Sequence, residues 1–147
     1  MLTFVLIPKI KMTFPPITIL VADDDFEDLE LIENAITNIE PDADLHKVTN
    51  GKAAIEFLSN QPNNKLPCLI ILDYNMPELT GSEVLSLIGK DKRYETIPKV
   101  VLSTSNTPFH MVECKSNGAT EYFVKPSNMN DLNNLAKRML NYCRNKS

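Results

Sequence analysis

The sequence predicts an α/β domain with a doubly wound, five-stranded parallel sheet and five helices. Short apolar runs alternate with longer stretches of helical period, the pattern of parallel strands joined by crossover helices. One of those runs, Cys68–Leu72, is apolar throughout rather than alternating, so both of its faces should be covered and it should lie centrally. Acids, hydroxyls and a lysine fall at the carboxyl ends of the runs, where open sheets of this kind place their crevice.

Ile17–Ala22 reads as the first strand. Leu29, Ile32, Ala35, Ile36 and Ile39 then recur on one helix face, with Asp25 where an N-cap belongs. Leu45–Val48 is a weaker second strand, followed by the turn Asn50-Gly51 and a helix carrying Ala54, Ile55 and Leu58; the polar "SNQPNNKLP" closes it. After the central strand come a helix at Gly81–Gly89 with Val84, Leu85 and Ile88, a strand at Val100–Ser103, and a helix at Phe109–Asn117 ended by Gly118. Glu121–Val124 is the fifth strand, and Leu132, Leu135, Ala136, Met139 and Leu140 form the apolar stripe of a last helix. Met111, Met129 and Met139 read as helix packing, and His46 and His110 as surface or packing residues.

Length and composition exclude several classes. The 147 residues, 43% hydrophobic and 23% charged, suit one globular domain. A net charge of -4 with scattered lysines argues against direct nucleic-acid binding. Cys68, Cys114 and Cys143 are odd in number and widely spaced, which fits a reduced, cytoplasmic chain rather than a disulfide framework. The apolar run at the start is broken by Pro8, Lys9 and Lys11, too soon for a signal peptide or membrane span. Residues 1–16 are read as a tail, with Met12 an alternative start, and 17–147 as the domain.

At the strand ends stand Asp23, Asp24 and Asp25, then Asp73, then Ser103 and Thr104, then Lys125 before Pro126. Crowded carboxylates repel unless a cation compensates them, and a hard divalent ion with oxygen ligands is the natural compensation. Such a rim suits phosphoryl transfer, in which positioning and charge neutralisation do most of the chemistry and a carboxylate can serve as nucleophile.

The motifs "ILVADDD", "IILDYNMP", "VVLSTS" and "EYFVKP" resemble those of response regulator receiver domains of bacterial two-component signalling, over Ile17–Arg144. The spacing matches the chemotaxis type: Ser103 follows Asp73 by 30 residues and Lys125 follows it by 52. The resemblance implies a flavodoxin-like sheet of order 2-1-3-4-5. It makes Asp73 the phosphoryl acceptor and Asp23 with Asp24 the acidic pair holding Mg²⁺, for which Mn²⁺ can substitute. The backbone carbonyl of Asn75 is implied as a further metal ligand. Ser103 matches the switch hydroxyl, Lys125 the lysine that contacts the phosphoryl group, and Tyr122 the switch aromatic; a cis bond is implied before Pro126. Asp25 and Asp28 in "DDDFEDLELI", with "LSTS", are similar to the subgroup containing partners of bacterial phytochromes. The interval from Asp23 to Asp73 is longer than in the shortest receivers, and "SNQPNNKLP" accommodates the excess.

Implied partners are a sensor histidine kinase or phosphotransfer protein, a downstream protein, and a second copy of the chain as a further option. The chain stops after the last helix, so output is expected through protein contacts, with phosphorelay or phosphate-sink roles as alternatives. A haloacid-dehalogenase-type phosphatase would need a second aspartate two residues after the first, where Asn75 stands. A phosphorylation-independent binding module has no need to crowd these charges, and an FMN protein would not place "DDDFED" where a phosphate loop belongs.

Overall fold

The computed structural model describes residues 16–144. Five strands form one parallel sheet in the order β2-β1-β3-β4-β5. They are β1 (Thr18–Ala22), β2 (Asp44–Val48), β3 (Leu69–Leu72), β4 (Lys99–Ser103) and β5 (Glu121–Val124). The crossovers carry α1 (Phe26–Thr37), α2 (Gly51–Asn60), α3 (Gly81–Ile88) and α4 (Pro108–Ser116), and α5 (Met129–Arg144) follows β5. Every predicted element is present within one or two residues of its expected bounds. Short 3₁₀ turns at Asn63–Lys65 and Lys92–Tyr94 lie in the polar connections.

All four residues of β3 are buried, as a strand covered on both faces requires. The period of two sorts the sheet into two cores. Ile19, Val21, Leu69, Ile71 and Leu102 face the layer of α1 and α5, while Leu20, Ala22, Ile70, Leu72 and Val101 face α2, α3 and α4. The helix stripes meet them: Leu29, Ile32 and Ile36 from α1, Ala136, Met139 and Leu140 from α5, and Val84, Leu85 and Ile88 from α3.

Local chemistry sets the helix starts. Asp25 Oδ1 accepts from the N–H of Glu27 at 2.9 Å and more weakly from Asp28, confirming the expected cap on α1. Asn50 Oδ1 caps α2 through the Ala53 N–H, and Thr80 with Glu83 makes a reciprocal capping box on α3. Gly118 has φ +108°, a left-handed conformation that lets the chain leave α4 and enter β5.

Three expectations are corrected. Cys68 and Cys143 form a disulfide that ties the residue before β3 to the last turn of α5, leaving Cys114 as the buried free cysteine. Sequence spacing hid this because the pair is 75 residues apart and is brought to a Cα–Cα distance of 5.1 Å only by the fold. The Lys125–Pro126 bond is trans, like every described peptide bond. Met129 is 40% exposed rather than packed, since it opens α5 outside the apolar stripe. His46 and His110 are packing residues at the surface, as expected: they stack on Phe57 and Tyr74, with ring centroids 3.9 Å apart in each pair. The tail assigned to residues 1–16 lies, but for Pro16, outside the described residues. Among the described residues, no helix is long and apolar enough to cross a membrane.

Candidate functional site

Parallel pairing aligns the carboxyl ends of β1, β3, β4 and β5, so the residue after each strand arrives at one rim. Backbone bonds hold the register there: the Asp73 N–H donates to the Ala22 carbonyl at 2.9 Å, and the Lys125 N–H to the Ser103 carbonyl at 2.8 Å. Gly81 lets α3 begin directly against the loop that follows β3, because a Cβ there would stand 2.4 Å from the Asp73 carbonyl oxygen.

Asp23 and Asp73 are buried, Asp24 is exposed, and one carboxylate oxygen from each lies within 4.8 Å of the others. Lys125 Nζ lies 2.7 Å from Asp23 Oδ2 and 3.6 Å from Asp73 Oδ2. Ser103, fully buried, closes the rim from β4 and accepts a hydrogen bond from the Ser105 N–H at 3.2 Å. Asn75 is exposed on the loop that follows β3, two residues beyond Asp73. Tyr122 stands apart from the acids: it is half-buried on β5, and its hydroxyl donates to the Ser105 carbonyl at 2.8 Å.

The electrostatics follow from burial. Desolvation pushes the Asp23 carboxyl up to about 6, against the pull of the Lys125 ammonium and the Asp25 N–H. Desolvation also raises Asp73, with Asp24 adding to the rise and Lys125, the Ser103 hydroxyl and the Tyr74 N–H opposing it. Burial works against the charge on Lys125, but Asp23, Asp28 and Asp73 outweigh it and push its pKa up. One lysine therefore serves several acids, and the rim retains excess negative charge.

Asp23, Asp24 and Asp73 fit a hard cation. Asp23 Oδ2 is buried and its close partner is the Lys125 ammonium at 2.7 Å, so this carboxylate already sits where positive charge is needed.

Sequence reasoning underrated Asp28, whose Oδ2 lies 2.7 Å from Lys125 Nζ. The signal was its place three residues after the Asp25 cap, in the first turn of the helix that opens onto the rim. Ser105 and Tyr74 were missed as well: Ser105 Oγ meets His110 Nδ1 at 2.6 Å, and the Tyr74 hydroxyl donates to Glu113 at 2.9 Å, so α4 is tied to the loops after β3 and β4. Nothing local in the sequence announces those contacts.

The family model for the response regulator receiver domain matches residues 19–137. The two-component response regulator ARR9 of Arabidopsis thaliana is 34% identical over 139 residues, covering 83% of this chain and 58% of that protein. ORR11 of Oryza sativa subsp. indica, another two-component response regulator, is 38% identical over 93 residues, covering 63% of this chain and 61% of that protein. The chain thus spans about three-fifths of the length of these curated relatives. Among solved structures, the phosphorylated cyanobacterial phytochrome response regulator RcpA matches with a TM-score of 0.80 and 28% identity, over 90% of this chain and 97% of that one. The Mn²⁺-bound form of response regulator Rcp1 matches with a TM-score of 0.77 and 29% identity, over 90% and 98%. The plant relatives do not support the expected bacterial source. With the model matched over most of its length and the receiver rim assembled at the strand ends, this chain belongs to the response regulator receiver domain family.

Proposed function

We propose that the protein is a phosphoacceptor in two-component signalling, with Asp73 as the nucleophile. The observation that carries this reading is the position of Asp73: buried, 3.6 Å from Lys125, and within reach of one cation shared with Asp23 and Asp24. An Asp73 carboxylate oxygen attacks the phosphorus of a phosphohistidine on a kinase or phosphotransfer protein. The new O–P bond forms as the P–N bond breaks, and the imidazole keeps the electron pair and takes up a proton. Mg²⁺ held by Asp23, Asp24, Asp73 and the Asn75 carbonyl would neutralise charge on the phosphoryl oxygens. Lys125 pairs with a phosphoryl oxygen.

Ser103 is the switch hydroxyl. Turning it to the phosphoryl group withdraws the acceptor now used by the Ser105 N–H, and Tyr122 is linked to the same residue through its carbonyl. Inverting such an equilibrium from 1:99 to 99:1 takes about 5.5 kcal/mol, more than a few hydrogen bonds supply, so switching is completed by a partner. The face of α4 and β5 suits a protein partner: Phe109, Val112 and Val124 are apolar and exposed there. Asn75 at the position of a general acid argues against a phosphatase.

The test is incubation with Mg²⁺ and acetyl phosphate, read by intact mass. The parent gains one phosphoryl group and Asp73→Asn gains none; equal modification of both removes Asp73 from the role.

A further inference from the structure

Asp28 is half-buried in the first turn of α1. An acid there ordinarily serves the helix dipole. This one reaches across the rim instead: Oδ2 accepts from Lys125 Nζ at 2.7 Å, joining α1 to the loop after β5. Asp23 Oδ2 is equally near, whereas Asp73 Oδ2, at 3.6 Å, is beyond hydrogen-bond distance. Side-chain exposure at the pair is 12% for Lys125 and 29% for Asp28, so water screens the contact only in part.

Asp28, Lys125 and Pro126 border a small cavity of about 40 Å³ walled by Leu31, Ile32, Leu102 and Leu132. Three carboxylates lie within 4 Å of Nζ, and Asp28 is the one among them outside the candidate metal cluster.

We propose that Asp28 is a positioning residue that holds Lys125 off the acceptor until a phosphoryl group arrives. This rests on the phosphoacceptor reading above. In the resting protein the lysine is bound by Asp23 and Asp28; a phosphoryl group on Asp73 must draw it away from Asp28. Asp28 thereby opposes phosphoryl uptake, and removing its charge frees the lysine.

The test is titration of the whole chain with beryllium fluoride in saturating Mg²⁺, followed by NMR, together with the acetyl phosphate concentration that half-saturates phosphorylation. Asp28→Asn should lower both half-saturating concentrations about fivefold, the value of one partly screened charge pair, with an unchanged maximal extent. Glu27→Gln removes the same charge from the same exposed turn and should change either value less than about twofold. Asp28→Glu, which restores an acid within reach of the lysine, should return the values toward the parent. Equal gains in Asp28→Asn and Glu27→Gln would reduce the effect to long-range charge and overturn the proposal, as would weaker uptake in Asp28→Asn. Asp73→Asn separates the two readings: if it still binds beryllium fluoride or takes up phosphate, the acceptor assignment fails whatever Asp28 does.

Discussion

Replacing Asp23 by Asn should make the metal-free protein more stable. Asp23 is 1% exposed, and its carboxyl is pushed from 3.8 to about 6 chiefly by desolvation. That displacement corresponds to about 3 kcal/mol against the ionised form at neutral pH. Asn is neutral, nearly isosteric, and keeps an oxygen to accept the Asp25 N–H that Asp23 Oδ1 now takes at 2.9 Å. The sign of the pH dependence follows. Because the folded-state pKa is raised, the folded protein binds more protons than the unfolded chain between about pH 4 and 6. Stability in EDTA should therefore fall as pH rises through that window, with Asp73 contributing in the same direction. Lys125 is shifted upward, so its contribution is fully present across that range and is lost only in alkali. Urea denaturation from pH 4 to 8, extrapolated to water, measures both effects. At pH 7 in EDTA, Asp23→Asn should exceed the parent by up to about 3 kcal/mol, and Mg²⁺ should narrow or reverse the difference by stabilising only the parent strongly. A variant no more stable than the parent in EDTA, or a parent whose stability rises from pH 4 to 6, would refute the claim that the site stores unfavourable charge.

Three further outcomes follow from the same geometry. Reduction of the Cys68–Cys143 disulfide, or Cys143→Ser, should lower stability by up to about 4.5 kcal/mol for a loop closed over 75 residues, measured by urea denaturation with and without reductant. Gly81→Ala should destabilise by about 1–3 kcal/mol and slow phosphorylation, because its Cβ meets the Asp73 carbonyl at 2.4 Å; thermal melts and acetyl phosphate kinetics report the two effects. Ser103→Ala should still be modified at Asp73 but lose the phosphorylation-dependent NMR shifts of Ser105, His110 and the Tyr122 ring, whereas unchanged shifts would remove Ser103 from the switch.

The sheet was legible because its signals are local. Continuous burial of Leu69–Leu72 and the helix stripes of α1 and α5 are written in hydrophobic period, and strand ends in a parallel sheet converge whatever the loops do. Asp23, Asp24, Asp73, Ser103 and Lys125 could be grouped for that reason before any distance was known. Contacts made by side chains from elements far apart in sequence carried no such signal. Asp28 meets Lys125 across 97 residues, and Cys68 meets Cys143 across 75. His110 acquired its role from Ser105 and Tyr74, which surround it only once α4 is docked. The trans bond before Pro126 was equally beyond a motif, because for proline the two isomers differ by only about 0.5–1 kcal/mol and tertiary context decides.

The most direct test of the central claim is chemical trapping of the acyl phosphate. The protein is treated with acetyl phosphate and Mg²⁺, reduced with borohydride, digested, and sequenced by mass spectrometry. The account predicts homoserine at position 73, dependent on both Mg²⁺ and acetyl phosphate and absent from Asp73→Asn. Reduction at another acid, or none at position 73 in protein that has gained a phosphoryl group, would contradict it.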